Sequence, residues 1–286
     1  FSWKKVFKLW FQCFFYSAII GICLYATKVN CVLTEINQNN YDFIAMNKRD
    51  FIKCFLPILS NNNWFTTYYM LFYILSPFVV PLIKNINQKQ HFKLIIITVT
   101  AGPLLSIITS TYVFSNLYYF VVVFLIASYI RLYSPKITNN LSLCLTIAIS
   151  ILIVYLAAIL TSYKWFNGKW INRIQGMTKL PMLLFAVSVF CIFKNLKVKY
   201  NPFINKIASC TLTVYLLHDN SFRQFIWQKI FHISDYRFSK FYLPYSLVVV
   251  LIIFTSSILI ELIRKRVIEK PALKLYDRIT AKINKQ

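Results

Sequence analysis

Polar loops cut this chain into apolar runs that are each close to 20 residues long. Eight can be drawn, at about 9–27, 64–83, 94–113, 115–130, 142–162, 178–193, 203–218 and 241–263. A helix of ~20 residues rises about 30 Å, the depth of a bilayer's hydrocarbon core. The composition fits: 14% of residues are charged, against roughly a quarter in a soluble domain. The expected fold is all-α, a polytopic transmembrane helical bundle forming one membrane-embedded domain over residues 1–286. Pro77 and Pro81 fall in the second run and are expected to kink it or end it early. The seventh run is short and starts polar, which suits a tilted or re-entrant segment.

Charge sets the orientation. Lys and Arg number 32 against 8 Asp and Glu, a net charge of +24. A nucleic-acid binder would gather such charge on one soluble face, whereas here it lies between apolar runs and in the tail. Nucleic acid is therefore not an expected partner, and anionic membrane lipid is. With Lys4, Lys5 and Lys8 inside and the spans alternating, most Lys and Arg face the cytoplasm, and the basic tail from Arg264 onward fixes that direction. The expectation is a multi-pass protein of the plasma membrane with a cytoplasmic C-terminus. Trp10, Trp64, Trp165 and Trp170 fall at ends of runs, where amphipathic rings favour the headgroup zone. The longest outside loop, 28–63, is Asn-rich and holds Cys31 and Cys54, which leaves a disulfide open if that loop meets an oxidising compartment. The remaining cysteines read as small core residues. The chain opens at Phe1 and not Met, so its first part is expected to be missing.

Soluble-enzyme motifs are absent. Four glycines cannot form a Gly-rich phosphate loop, and there is no GxSxG elbow and no HExxH. No set of metal ligands stands out, so neither a metal nor a bound cofactor is expected. The middles of the runs are nearly free of charge, with Glu261 close to a helix end, which counts against an ion-coupled carrier. The residues that remain each carry two readings. Lys5 and Lys8, three apart on a helix, can hold an anion or simply anchor the inner face. Trp64, Tyr68 and Tyr69 can stack on a ligand or belong to the aromatic belt. His218, followed by Asp219, can serve a site or end a helix at the interface. His91 and His232 read as solvated loop residues, and Glu269 with Pro271 as the exit of the last helix.

Four segments, taken in order, resemble a known family. They are Lys5-Val-Phe-Lys8, Asn63-Trp-Phe-Thr-Thr-Tyr-Tyr69, Thr211-Leu-Thr-Val-Tyr-Leu-Leu-His218, and the stretch from Ser256-Ser257 to Ile268-Glu-Lys-Pro271. Together they look like membrane acyltransferase family 3, bacterial integral-membrane O-acyltransferases that often modify surface polysaccharides. The resemblance implies about ten spans with both ends inside, two of them before Phe1. It implies a catalytic histidine in the first of those spans, outside this sequence, so that this piece alone is expected to be inactive. It also implies acyl-CoA, by default acetyl-CoA, as donor substrate, with its phosphates on Lys5 and Lys8. Lysine stands where the family more often has arginine and gives up bidentate phosphate recognition. The implied acceptor is a carbohydrate hydroxyl on a cell-envelope or exported polysaccharide, with Trp64, Tyr68 and His218 lining its site or tunnel. A polysaccharide exporter, flippase or polymerase without acyl transfer is the alternative reading.

Overall fold

Six helices among the described residues are long and apolar enough to cross a membrane. They are α1 (Trp3–Thr27), α3 (Trp64–Lys84), α4 (Gln88–Ile108), α5 (Asn116–Tyr133), α6 (Leu141–Phe166) and α10 (Tyr242–Arg264). The computed structural model describes residues 2–37, 40–60, 63–109, 115–166 and 176–283. Trp170 and the side chain of Trp165 lie outside that description, as do residues 110–114 at the end of the third run. The protein is an all-α, multi-pass membrane protein, and many large apolar side chains of its long helices are exposed, α6 and α10 above all, as a lipid-facing surface requires.

Two of the eight expected runs do not become long helices. The sixth forms α7 (Leu180–Asn195), whose 16 residues rise only about 24 Å. The seventh breaks into α8 (Pro202–Ala208) and α9 (Thr211–His218). Asn201 caps α8 by accepting from the backbone of Phe203 and Ile204, with Pro202 at the first helical position. At the break, Lys265 Nζ donates to the Ser209 carbonyl (2.8 Å) and its Oγ (2.9 Å).

Prolines bend the expectation in the other direction. α3 continues through Pro77 and Pro81 to Lys84. Pro77 has no N–H for the Tyr73 carbonyl, and the Ser76 hydroxyl donates to that carbonyl instead, at 2.7 Å. In α4, Pro103 lies in a π-helical turn at Thr100–Leu104, which relaxes the bonding pattern a proline interrupts. The last helix does not exit at Pro271. A π turn at Lys265–Glu269 precedes the proline and the chain runs on as α11 (Lys270–Ile283). α4 also starts six residues earlier than its apolar run, because Asn87 and Gln90 form a reciprocal capping box. That places His91 inside a helix.

The chain divides into two units. One is Leu71–Lys199 and the other is Ser2–Met70 with Tyr200–Gln286. In the first, α4 meets α5 at Gly102, where an added Cβ would lie 2.4 Å from the Tyr118 ring. His91, fully buried, donates from Nε2 to the Leu125 carbonyl at 3.1 Å. It is not a solvated loop residue; a backbone carbonyl can only accept, so Nε2 carries a proton, and Nδ1 has no hydrogen-bond partner among the described residues. His232, by contrast, is half-exposed.

The second unit contains the residues of interest. Its extramembrane part holds an antiparallel hairpin, β1 (Asn30–Asn37) and β2 (Asn40–Ala45), and α2 (Lys48–Cys54). Cys31 and Cys54 share one buried cluster with Met46 and Phe222, and both thiols are free. Burial, with Asp50 nearby, pushes the Cys54 thiol up to about 11, so it remains protonated and unreactive at neutral pH. α1 packs on α2 at Gly21, where a Cβ would sit 2.5 Å from Cys54 Cβ.

Candidate functional site

α1 carries Gln12 and Tyr16 four residues apart on one face, and α10 carries Glu261 and Arg264 three apart. The two faces meet. Arg264 grips Glu261 with two parallel bonds, Nε to Oε2 at 2.7 Å and Nη2 to Oε1 at 2.8 Å. The Tyr16 hydroxyl donates to Glu261 Oε2 (2.7 Å), and Gln12 Nε2 donates to Oε1 (3.1 Å) and to Thr213 Oγ1 on α9 (2.9 Å). Glu261 and Arg264 are both buried. Ionised groups out of water are tolerated only when paired and hydrogen-bonded, and each Glu261 oxygen receives two donors.

The network continues toward the start of α1. Arg264 also bonds Glu269, and Glu269 Oε1 takes Lys8 Nζ at 2.7 Å. Lys4 pairs with Asp277 at 2.7 Å. Lys5 is exposed and has no ion pair among the described residues. The two lysines of the sequence pattern are therefore unequal, one neutralised by a carboxylate and one open to solvent. Arg264 Nη1 is buried without a hydrogen-bond partner, its guanidinium lying 5.9 Å from the Phe15 ring centroid and 5.8 Å from that of Tyr16.

The aromatic segment opens α3. The Asn63 carbonyl accepts from the Thr66 and Thr67 hydroxyls, both at 3.1 Å, which turns the chain into the helix. Trp64 and Tyr68 are half-buried. Phe65 N donates to the Tyr215 hydroxyl of α9 (3.3 Å), and their rings meet edge-on at 5.6 Å. Asn63 itself is buried, and its Oδ1 has no partner among the described residues. It lines a small cavity with Ser17, Asn220 and Ser221, among the apolar Ile20, Leu216 and Phe222, with room for about one water molecule.

His218 ends α9 near this cavity's Asn220. Its Nδ1 bonds the Val214 carbonyl one turn back, so Nδ1 carries a proton. Its ring stands edge-on to Trp227 at 6.0 Å. Asp219 does not serve it; that carboxylate pairs with Arg223 at 2.9 Å. Along α1, Lys8 and Ser17 are separated by about 14 Å. From Lys8 a polar column thus runs through Glu269, Arg264, Glu261 and Gln12 to Thr213, and the Asn63 cavity lies further along α1, at Ser17.

A family model described as an acyltransferase domain, that of membrane acyltransferase family 3, matches residues 1–262. This chain belongs to membrane acyltransferase family 3. No curated protein and no solved structure matches it. As a member, the protein is an acyltransferase. The match takes in Lys5, Lys8, Trp64, Tyr68, His218 and Glu261, and stops before Arg264 and Glu269.

Reading the sequence missed the network because it scored charge run by run. Glu261 near a helix end looked like an interfacial residue. The signal lay in pairs: Gln12 with Tyr16 and Glu261 with Arg264, each able to face a partner helix.

Proposed function

We propose that this acyltransferase moves an acyl group, acetyl by default, from cytoplasmic acyl-CoA to a hydroxyl of a cell-envelope or exported polysaccharide of a bacterium. It would do so within the plasma membrane, as a single domain whose C-terminus faces the cytoplasm. The observation that supports this reading is the polar column in an otherwise apolar set of helices. At one end Lys5 and Lys8 present cations suited to donor phosphates. A phosphate reaching Lys8 meets an ammonium already held by Glu269, so Lys5 carries the first contact. At the other end, the Asn63 cavity, Trp64, Tyr68 and His218 offer hydrogen-bonding and stacking groups, the chemistry a sugar takes.

In the reaction the acceptor hydroxyl oxygen attacks the thioester carbonyl. The new C–O bond forms as the C–S bond breaks, the hydroxyl proton passes to a base, and the CoA thiolate leaves and is protonated. A sugar hydroxyl is a weak nucleophile at neutral pH, so a base must be positioned beside it. The test is deletion of the full-length gene, followed by assay of ester-linked acetate on envelope polysaccharide. Loss of acetate, restored by the gene on a plasmid, is the expected result. Acetylation unchanged by the deletion defeats the proposal.

A further inference from the structure

α11 has three faces, and two of them have no occupant among the described residues. Its first face is half-buried along α1, through Leu273, Tyr276 and Thr280. Its second is a basic stripe, Lys270, Lys274 and Arg278, all exposed and spaced by four, which aligns them along the helix. Its third is apolar: Leu275 is 59% exposed and Ile279 is 49% exposed. Asp277, the one carboxylate on α11, is taken by Lys4, so the basic stripe keeps its charge.

Two contacts fix the depth of this helix. The Tyr276 ring stacks on Phe7 with centroids 4.6 Å apart, and Asp277 pairs with Lys4 at 2.7 Å. Both partners lie in the opening turns of α1, where the first apolar run begins. The apolar and basic faces of α11 therefore lie at the edge of the hydrocarbon zone. Trp3, 63% exposed, stands on the same opening turn of α1, as an indole at headgroup level does. The helix spanning Tyr242–Ala281 has 40 residues, about 60 Å of length, so its later part must leave the ~30 Å core.

From these placements we propose that α11 is a docking surface for anionic phospholipid, with Leu275 and Ile279 entering the acyl-chain boundary and Lys270, Lys274 and Arg278 meeting lipid phosphates. Charge complementarity selects the occupant. A water-facing helix has no use for two large exposed aliphatic side chains, and an apolar protein groove has no use for the basic stripe beside them. An anionic bilayer surface takes both.

The test uses the purified full-length protein in nanodiscs, which leave both membrane faces accessible. One set contains phosphatidylcholine alone and the other phosphatidylcholine mixed with phosphatidylglycerol. Trypsin cleavage after Lys274 and Arg278 is followed by mass spectrometry of the released peptides. Cleavage should be roughly tenfold slower or more in the anionic discs, since each cation adds to the attraction, and high salt should erase the difference. Leu275→Glu with Ile279→Glu should restore fast cleavage in anionic discs. Equal rates in the two lipids overturn the proposal. Protection that ignores lipid charge but grows with the number of protein molecules per disc overturns it too, in favour of a second copy as occupant. The lipid comparison uses the unaltered protein, so it stands even where the double variant fails to fold.

Discussion

At the scale of single residues, Glu261 and Arg264 decide the most. Each is a charge in a place where charge is expensive, and each is tolerable because the other is there. Substituting Arg264→Met leaves a buried carboxylate held by Tyr16 and Gln12, with Lys265 Nζ at 3.8 Å. The expected loss of stability is about 3–5 kcal/mol, read as a lower midpoint of thermal unfolding in detergent. The pair Glu261→Leu with Arg264→Met removes both charges and should unfold at a higher temperature than Arg264→Met alone. If the double variant is as weak as the two single variants added together, the residues do not act as a pair. Lys8 and Glu269 give a second prediction at this scale. Lys5→Ala with Lys8→Ala should raise KM for acetyl-CoA about 10–100-fold, the range for bonds to charged groups, with little change in acceptor use. The resemblance of Lys5-Val-Phe-Lys8 to a basic element of the family points to Lys5 and Lys8. Sequence reading did not reach Glu269 as the partner of Lys8, because ion pairs distant in the chain leave no local pattern.

At the scale of elements, most long helices were legible, since hydrophobic length is a local property. What was not legible was how irregular turns absorb prolines. Ser76 beside Pro77 and the π turns around Pro103 and before Pro271 keep helices running where single-residue rules stop them. The hairpin of β1 and β2 was also missed, because it sits in a loop otherwise read only for Asn and charge. One close approach binds this region to α1. Gly21 lets α2 come within van der Waals reach, and a Cβ there would collide with both Cβ and Sγ of Cys54. Gly21→Ala is expected to cost about 1–3 kcal/mol through overpacking. Adding Cys54→Gly should return most of that loss, because it removes both atoms in the collision. Unfolding midpoints of the single and double variants check this, and no recovery in the double variant would mean the helices separate for another reason.

At the scale of the molecule, four ordered segments carry the family, yet they do not say how residues far apart in the chain are joined. The polar column joins such residues, since α1, α9 and α10 contribute to it in turn. A donor and an acceptor that bind at opposite ends should be separable by mutation. Asn63 is the residue to use, because its buried Oδ1 has no partner among the described residues and it lines a cavity remote from Lys8 along α1. Asn63→Leu fills that cavity and removes the acceptor oxygen, so transfer to polysaccharide should fall while KM for acetyl-CoA stays within about twofold, an effect near 0.4 kcal/mol. Asn63→Asp keeps an oxygen acceptor of the same shape and should retain more transfer than the leucine variant. Acetyl-CoA turnover and acetate on polysaccharide, measured side by side in membranes carrying the full-length protein, separate the two ends. Were Asn63→Leu to raise KM for the donor as much as Lys5→Ala with Lys8→Ala does, donor and acceptor would share one end and the column would be structural only.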